Sequence, residues 1–384
     1  MSFYFNQQTR LTVGAGKLKE IGSEAKRIGG KRCLLVMDPY FVESEVVNII
    51  ESSLSDHGIK TFKFSEVQPN PRDYDCEAGR DFAKEKNVDF VVTLGGGSAM
   101  DEGKAIAALV TNGGICSDWN EKELDRPMLP VICIPTTSGT GSEVTFISVI
   151  DDTKLDFKMA FIDPINLIPK VAILDPELTV TLPKSVTSGP GMDVLTHAIE
   201  AYTVKVNNPI SDCLALKAIQ LVKDNLFIAY NEPTNLEARE NMLIASSLAG
   251  SAFTNANVGS VHAMSETVGA IYDLPHGLLN ALLLIPTMEY NIDADFKRFA
   301  DVAVALGVDS HNKTEKEVAY EGLEVLKTFF KQFDLPNFEQ LNKFDSSQFK
   351  DLATKAMDNP LTNDNVKQMN VEAYIQILEK SYTI

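Results

Sequence analysis

The fold class of this 384-residue chain is decided by one stretch, Val88-Asp89-Phe90-Val91-Val92-Thr93-Leu94-Gly95-Gly96-Gly97-Ser98. Its first part is a compact, mostly apolar run of strand length. The glycines follow at once, and Ala99–Val110 then has a helical pattern of apolar residues. A buried strand that turns into a helix at a glycine loop is typical of a parallel sheet covered by helices on both faces.

The same alternation extends on both sides of this stretch. Four more runs predict strands of the same sheet: Arg32–Met37, Thr61–Phe64, Val131–Ile134 and Val171–Leu174. Helical patterns lie between them at Lys17–Ile28, Glu43–Ser53 and Glu77–Lys86. Two runs, Thr145–Ile150 and Lys158–Ile162, predict an inserted hairpin whose turn is at Asp151-Asp152. The first half is therefore predicted to be an α/β domain with a mostly parallel sheet.

The pattern changes near Leu182-Pro183. From Ser185 onward no convincing period-2 run is found, and long helical stretches follow one another. They are Ser185–Val204, Ser211–Ala229, Leu236–Asn255, Ser260–Ile271, Leu278–Tyr290, Asp293–Leu306 and Thr314–Phe333. We predict two domains, an α/β domain over residues 1–184 and an all-helical domain over residues 185–384.

Composition excludes several classes of protein. The net charge of −18 argues against a nucleic-acid or anionic-membrane partner, since either needs a cationic surface. The five cysteines form no Cys-x-x-Cys pair and are expected to be reduced thiols of a cytoplasmic protein. The N-terminal residues lack the pattern of a secretory signal, and no apolar stretch is long enough to cross a membrane.

Three polar strand ends predict a nucleotide site. Glycines at a helix N-terminus let backbone N–H groups approach a phosphate, although Gly95–Ser98 lacks the G-x-G-x-x-G spacing and a plain tight turn stays possible. Ser98 is expected to be the N-cap of the next helix, with Asp101 as its capping-box partner. The hydroxyls of Thr136–Ser142 follow another strand end. Asp38 follows a third, where a carboxylate binds ribose hydroxyls and repels a 2′-phosphate, unless it only opens a turn.

Three of the five histidines form a pattern with an aspartate. Asp193 and His197 are four residues apart, which places them on one helix face. His262 and His276 lie too far away for one short helix and would have to converge on them in space. One carboxylate and three imidazoles are donors that a divalent transition metal prefers. The alternative is a helical interior with hydrogen-bonded polar residues and no metal.

Other catalytic motifs are missing from the chain. It has neither Gly-x-Ser-x-Gly nor Gly-x-x-x-x-Gly-Lys-[Ser/Thr], which argues against an α/β-hydrolase and a P-loop NTPase. The remaining histidines, His57 and His311, have polar, turn-like neighbours and are expected to be solvated.

These pieces together resemble the iron-dependent, or group III metal-dependent, alcohol dehydrogenase family, and its lactaldehyde reductase and 1,3-propanediol dehydrogenase types in particular. The resemblance covers nearly the whole chain. The motifs on which it rests are Gly95-Gly96-Gly97-Ser98-x-x-Asp101-x-x-Lys104, the run from Pro135 to Thr145, the run from Gly191 to Glu200, Val261-His262-Ala263-Met264 and Pro275-His276-Gly277. Such long matches in this order are highly specific.

The resemblance implies a site residue by residue. It implies that one divalent ion, Fe²⁺ or Zn²⁺, is held by Asp193, His197, His262 and His276. It implies that NAD is bound by Asp38, Gly96, Gly97, Ser98, Thr136, Thr137 and Thr140, with Asn70 and Lys158 as further contacts. The implied partners are a small alcohol or aldehyde and a second copy of the chain in a homo-oligomer.

Two positions depart from the family pattern. Many relatives have a histidine four residues after His262 that is proposed to relay protons, and this chain has Glu266 there. Either Glu266 takes the relay role, or the proton leaves through water and ribose hydroxyls. The segment Asp358-Asn359-Pro360-Leu361 also lacks the arginine that often follows this proline. Both departures put the identity of the substrate in doubt.

The implied reaction is a reversible hydride transfer between the nicotinamide and a small primary alcohol or small polar aldehyde, such as a diol, a hydroxyaldehyde or a sulfoacetaldehyde-like compound. The main alternative is a glycerol-dehydrogenase-like or dehydroquinate-synthase-like metal enzyme on the same architecture. A non-enzymatic scaffolding role is a third class, which would predict an incomplete ligand set.

Overall fold

The protein is described by a computed structural model over residues 2–155 and 157–382. The chain divides into two compact units, described separately below. The sheet unit comprises residues 6–182 and 233–247, and the helical unit comprises residues 2–5, 183–232 and 248–382. The domain boundary that the sequence places at residues 184 and 185 stays a prediction.

The sheet unit is built on a parallel sheet of six strands in the order β1-β8-β5-β4-β2-β3. The strands of this sheet are β1 Arg10–Val13, β2 Arg32–Met37, β3 Lys60–Phe64, β4 Phe90–Gly95, β5 Val131–Pro135 and β8 Val171–Leu174. Strands β4 and β5 are buried along their whole length, which explains why they read as continuous apolar runs. The predicted parallel α/β fold is confirmed.

The strand order reverses direction beside β2. The chain passes from β2 to its neighbour β3 on one side and then returns to β4 on the other side. In register, Met37 at the end of β2 lies opposite Leu94, and Gly95 at the end of β4 lies opposite Pro135 at the end of β5. Open α/β sheets bind ligands beyond the carboxyl ends of strands at such a reversal.

The predicted hairpin forms, but its turn differs from the sequence expectation. Strands β6 Ile147–Asp152 and β7 Phe157–Ile162 pair antiparallel, with Asp151 opposite Lys158. The expected turn at Asp151-Asp152 is wrong, because both aspartates belong to β6. Asp152 accepts hydrogen bonds from the backbone N–H groups of Lys154 and Leu155, so its carboxylate closes the turn that follows it.

Helices cover both faces of the sheet and make up most of the helical unit. Those that begin before residue 180 are α1 Ile21–Arg27, α2 Glu45–Asp56, α3 Asp73–Glu85 and α4 Gly97–Asn112. Those that follow are α5 Lys184–Thr203, α6 Pro209–Asn231, α7 Leu236–Ala256, α8 Ser260–Tyr272, α9 His276–Asn291, α10 Phe296–Ala305, α11 Glu315–Phe330, α12 Phe338–Leu341, α13 Phe349–Asp358 and α14 Val371–Ser381. In the described residues, no helix is both long and apolar enough to span a bilayer.

Candidate functional site

Four side chains of the helical unit converge on one point. Asp193, His197, His262 and His276 each offer one ligand atom, and these atoms all lie within 4.8 Å of one another. The Asp193 Oδ1 atom is 4.0 Å or less from a ring nitrogen of each histidine. All but His276 are almost fully buried. The convergence that the sequence required is therefore present.

Three helices bring these side chains together. Helix α5 carries Asp193 and His197 one turn apart, α8 carries His262, and α9 begins at His276. Gly277 explains the close approach of α9, because a Cβ there would lie 2.8 Å from the Gly189 carbonyl oxygen of α5. Only glycine lets these two backbones meet so closely, and His276 is thereby held beside Asp193.

Glu200 supports His262, and the sequence analysis did not assign it a role. Its buried carboxylate accepts a hydrogen bond of 2.6 Å from His262 Nδ1 and one of 2.8 Å from the backbone N–H of Val261. Because Nδ1 then carries the proton, the lone pair of Nε2 is free to face the ligand cluster. Glu200 follows His197 by three residues on α5, and this spacing was the sequence signal that could have identified it.

Asn280 also contacts the cluster and was also missed. It lies one turn after His276 on α9, and its Nδ2 donates to Asp193 Oδ1 at 2.6 Å. The same nitrogen is 3.0 Å from Nε2 of His262 and from Nε2 of His276. The i, i+4 spacing from His276 was the signal. No sequence signal pointed to Phe253, whose ring stacks on His197 with centroids 4.4 Å apart.

The electrostatics of the cluster favour a charged carboxylate. Burial alone would raise the pKa of Asp193, but the three imidazoles and the Asn280 amide bring it below its ordinary value. Burial opposes a positive charge on His262, yet the Glu200 hydrogen bond, with the charges of Glu200, Asp193 and Glu266, raises its pKa. The cluster thus attracts positive charge.

The donor set fits one divalent transition ion. Metal–ligand bonds of about 2.0–2.2 Å place two ligands of one ion at most ~4.4 Å apart. The pairs that Asp193 forms with the histidines meet this limit, and all four ligand atoms lie within 4.8 Å of one another, so the set comes within a few tenths of an ångström of it. A buried carboxylate with three imidazoles suits iron or zinc equally well.

The predicted nucleotide loops meet at the reversal of the sheet. Asp38 N–H donates to the Leu94 carbonyl, and a Cβ on Gly95 would lie 3.6 Å from Asp38 Cβ. A Cβ on Gly96 would lie 3.2 Å from Thr137 Oγ1, and one on Gly97 would lie 2.6 Å from Thr140 Cγ2. The three strand ends therefore lie side by side, and the N–H of the buried Thr136, directly after β5, donates to the Gly95 carbonyl.

Asp38 opens a turn, and its role at a ribose stays a prediction. Its Oδ1 accepts a hydrogen bond of 2.8 Å from the Tyr40 N–H, so it does open a turn. Within the described residues, its Oδ2 has no hydrogen-bond donor. Asn70 and Lys158, also in the sheet unit, contact each other, with Lys158 Nζ 3.1 Å from Asn70 Oδ1 and 3.1 Å from Asp151 Oδ1.

The predicted cap of α4 is wrong. Gly96 is the N-cap without a side-chain hydrogen bond, and Ser98 lies inside the first turn. Asp101 instead accepts from the Ser142 hydroxyl at 2.5 Å and from the Val149 N–H, and it pairs with the fully buried Lys104. Because α4 starts two residues earlier than expected, its first N–H groups stay free of a side-chain cap, as an anion site requires.

Glu266 lies one turn after His262 on α8 and is half-buried. Its Oε2 accepts a hydrogen bond of 2.8 Å from Asn359 Nδ2. It forms no ion pair with any described residue. Glu266 therefore contacts the segment Asp358-Asn359-Pro360-Leu361, in which the second departure from the family pattern lies.

Family models match both halves of the chain. The model described as iron-containing alcohol dehydrogenase matches residues 8–176, and the model for the C-terminal part of the Fe-containing alcohol dehydrogenase family matches residues 187–382. The chain belongs to the iron-containing alcohol dehydrogenase family. The predicted resemblance is confirmed.

Curated relatives support this membership over nearly full length. The NAD-dependent methanol dehydrogenase of Bacillus methanolicus is 34% identical, with 96% of this chain and 97% of the relative covered. The choline dehydrogenase of Bacillus subtilis is also 34% identical, with 99% and 95% covered.

Solved structures of similar proteins agree with the family models and with the curated relatives. A 1,3-propanediol oxidoreductase superposes with a TM-score of 0.96 at 32% identity, with full coverage of both chains. The sulfoacetaldehyde reductase of Bifidobacterium kashiwanohense, solved with NAD⁺, gives a TM-score of 0.90 at 32% identity, with 100% and 99% covered. This alcohol dehydrogenase family member is accordingly an NAD(H)-linked, metal-dependent oxidoreductase.

Proposed function

We propose that this dehydrogenase interconverts a small primary alcohol and its aldehyde at one divalent metal ion held by Asp193, His197, His262 and His276. The convergence of these four ligand atoms within 4.8 Å carries the proposal. Diols, hydroxyaldehydes and sulfoacetaldehyde-like compounds belong to the proposed range, because relatives named for methanol, choline, propanediol and sulfoacetaldehyde share this fold. No observation favours the glycerol-dehydrogenase-like or dehydroquinate-synthase-like alternative.

The cofactor contacts are proposed on the sheet unit. Backbone N–H groups of Gly96, Gly97 and Ser98 at the start of α4 are suited to the pyrophosphate of NAD. The hydroxyls of Thr136, Thr137 and Thr140 border the same surface. Asp38 Oδ2 is suited to the ribose hydroxyls and favours NAD over NADP by repelling a 2′-phosphate. Asn70 and Lys158, which contact each other, are weaker proposals.

The chain's own groups define the proposed chemistry. When bound, the metal supplies Lewis-acid activation of the substrate oxygen. Glu200 keeps the proton on His262 Nδ1, and Asn280 holds the Asp193 carboxylate in place. The His197 ring is fixed between Phe253 and His262, with centroids 4.4 and 4.6 Å away. Glu266 is the proposed group for exchanging the alcohol proton with solvent, although water and ribose hydroxyls offer a second route.

The test is the metal content of ligand variants. The double variant His197→Ala/His262→Ala should lose the bound metal and nearly all NAD⁺-dependent alcohol oxidation, while its far-UV circular dichroism stays that of the wild type. His311→Ala, which removes an exposed histidine, is the matched control and should retain both. Full metal occupancy in the double variant, measured by elemental analysis, would show that the ligands are misassigned.

A cytoplasmic location and a homo-oligomer are also proposed. Four of the five free cysteines are buried and Cys213 is exposed, which suits a reducing compartment. Size-exclusion chromatography with light scattering measures the oligomeric state directly.

A further inference from the structure

The structure leaves one acidic group beside the ligand cluster without a counter-ion. Glu266 lies on the same face of α8 as His262, and its charge acts on that imidazole. Its carboxylate is neither a metal-ligand candidate nor part of an ion pair in the described chain. We infer that Glu266 selects the charge of the substrate, favouring alcohols with a cationic far end over anionic ones, which narrows the proposed range away from sulfoacetaldehyde-like compounds.

A neutral amide holds this carboxylate in place. Asn359 Oδ1 accepts a hydrogen bond of 3.0 Å from the Leu361 N–H, which fixes the side chain at the end of α13. The Nδ2 of the same amide therefore points at Glu266 and donates to it at 2.8 Å. An amide orients the carboxylate but leaves its full negative charge, whereas a lysine or arginine in this place would neutralise it.

The neighbouring charges do not neutralise Glu266 either. Helix α13 packs against α8, and Lys355, one of its two lysines, pairs with Asp351 at 2.9 Å. The other, Lys350, is exposed near the start of this helix, whereas Asn359 follows its end. Glu200, another acid near His262, is already bonded to that ring and to the start of α8. A charge that is half-buried and unpaired acts on a nearby ligand through a lower effective dielectric than water, so it discriminates strongly between cations and anions.

The substrate class follows from this charge. The hydroxyl end of the substrate goes to the cluster of His262 and its neighbours, and the far end of a two-carbon alcohol lies a few ångströms away. A quaternary ammonium or primary ammonium group there gains attraction to Glu266. A sulfonate or carboxylate meets repulsion. Diols and simple alcohols lie between these extremes.

Three alcohols of one shape test the inference, which rests on the proposed alcohol dehydrogenase function. Choline, 3,3-dimethyl-1-butanol and isethionate share the HO–CH₂–CH₂–X skeleton with a cationic, a neutral and an anionic tetrahedral head. In the wild type we expect kcat/KM to fall in that order. In Glu266→Gln, which keeps the shape and removes the charge, the choline-to-neutral ratio should fall about tenfold or more, mainly through KM. A ratio of two substrates on one variant cancels any common loss in proton transfer.

Controls separate this inference from the function on which it rests. Glu379→Gln removes an exposed charge on α14 and should leave all ratios within twofold of the wild type. Tetramethylammonium binding, measured by calorimetry on the metal-loaded enzyme, should weaken at least fivefold in Glu266→Gln, and this readout needs no turnover. Metal content is measured for each variant.

Two kinds of failure are distinct. If wild-type enzyme with full metal oxidises neither 1,3-propanediol nor any of the three alcohols, the proposed function is wrong, and tetramethylammonium binding still tests Glu266. If the alcohols react but Glu266→Gln changes the choline-to-neutral ratio less than twofold, the inference about charge selection is overturned. Faster turnover of isethionate than of its neutral isostere in the wild type overturns it as well.

Discussion

At the residue scale, Glu200 joins a candidate metal ligand to the start of the ligand's own helix. Helix α8 has no side-chain cap of its own at Gly259. Glu200 of α5 takes that place by accepting from the Val261 N–H at 2.8 Å, while it also accepts from His262 Nδ1 at 2.6 Å. One carboxylate therefore fixes both the position of the helix end and the tautomer of the imidazole.

Glu200→Gln should weaken metal binding while the protein stays folded. A glutamine can accept only one of these hydrogen bonds with its oxygen, and its NH₂ group would face a donor. Loss of such a supporting partner typically costs about 10- to 100-fold in metal affinity. Chelator competition measures the dissociation constant, with Glu379→Gln as the exposed control. An affinity within twofold of the wild type would contradict this role.

Single residues could be predicted when a local spacing marked them. Asp193 and His197 were found from their i, i+4 spacing, and the structure brings His262 and His276 to them. Glu200 had comparable spacing but was missed, because a glutamate on a helix is usually a solvated side chain. Phe253 could not have been found, since its stacking on His197 depends on how α7 and α5 pack.

At the scale of elements, α4 lies against its own sheet with very little space. A Cβ on Gly103 would overlap the Cγ2 methyl of Thr93 in β4 and lie 3.6 Å from Val91 Cγ1. Thr93 is fully buried, so it has no solvent into which to turn. This close approach sets the position of the helix whose N-terminus is proposed to bind the pyrophosphate.

Gly103→Ala should therefore destabilise the protein despite the better helix propensity of alanine. Overpacking in a core costs about 1–3 kcal/mol, against a propensity gain of about 1 kcal/mol. Adding Thr93→Ser removes the obstructing methyl and should restore most of the stability. Unfolding midpoints of the two single variants and the double variant test this. Additive effects of the two changes would show that the residues do not meet.

Elements could be predicted where they were long and buried. The runs Arg32–Met37 and Val171–Leu174 match β2 and β8 as they stand. Strand β1 was missed because it has four residues, half of them exposed, and it acquires strand structure only by pairing with β8. The hairpin turn was misplaced because two adjacent aspartates favour turns, yet here they pair within β6 and β7.

At the scale of the whole molecule, acidic residues are in excess, and at least one of them lies in the core, away from water. The net charge is −18. Glu102 of α4 is fully buried, and neither carboxylate oxygen has a hydrogen-bond partner among the described residues. Composition alone counts Glu102 as one of many charged residues. Only the structure of the sheet unit shows that Glu102 lies in the core and not on the surface.

Glu102 should make stability depend on pH. Burial, with the charges of Asp75 and Glu66, raises the pKa of Glu102 to about 8. The unfolded chain ionises this group near its ordinary value of about 4.3, whereas the folded protein keeps the proton up to about pH 8. Its stabilising contribution is therefore full below about pH 4 and is lost as the pH rises to about 8, by about 1.4 kcal/mol per pH unit.

Glu102→Gln removes this titration and leaves a neutral group of the same shape. The variant should gain stability relative to the wild type as the pH rises from 5 to 8, with the largest advantage near pH 8. Denaturant midpoints of both proteins, compared at each pH, cancel the titration of every other group that the two share. Glu123→Gln, at an exposed position, should give a difference that does not vary with pH. Parallel pH profiles for Glu102→Gln and the wild type would mean that the folded protein already holds Glu102 ionised, against its buried and unpartnered position.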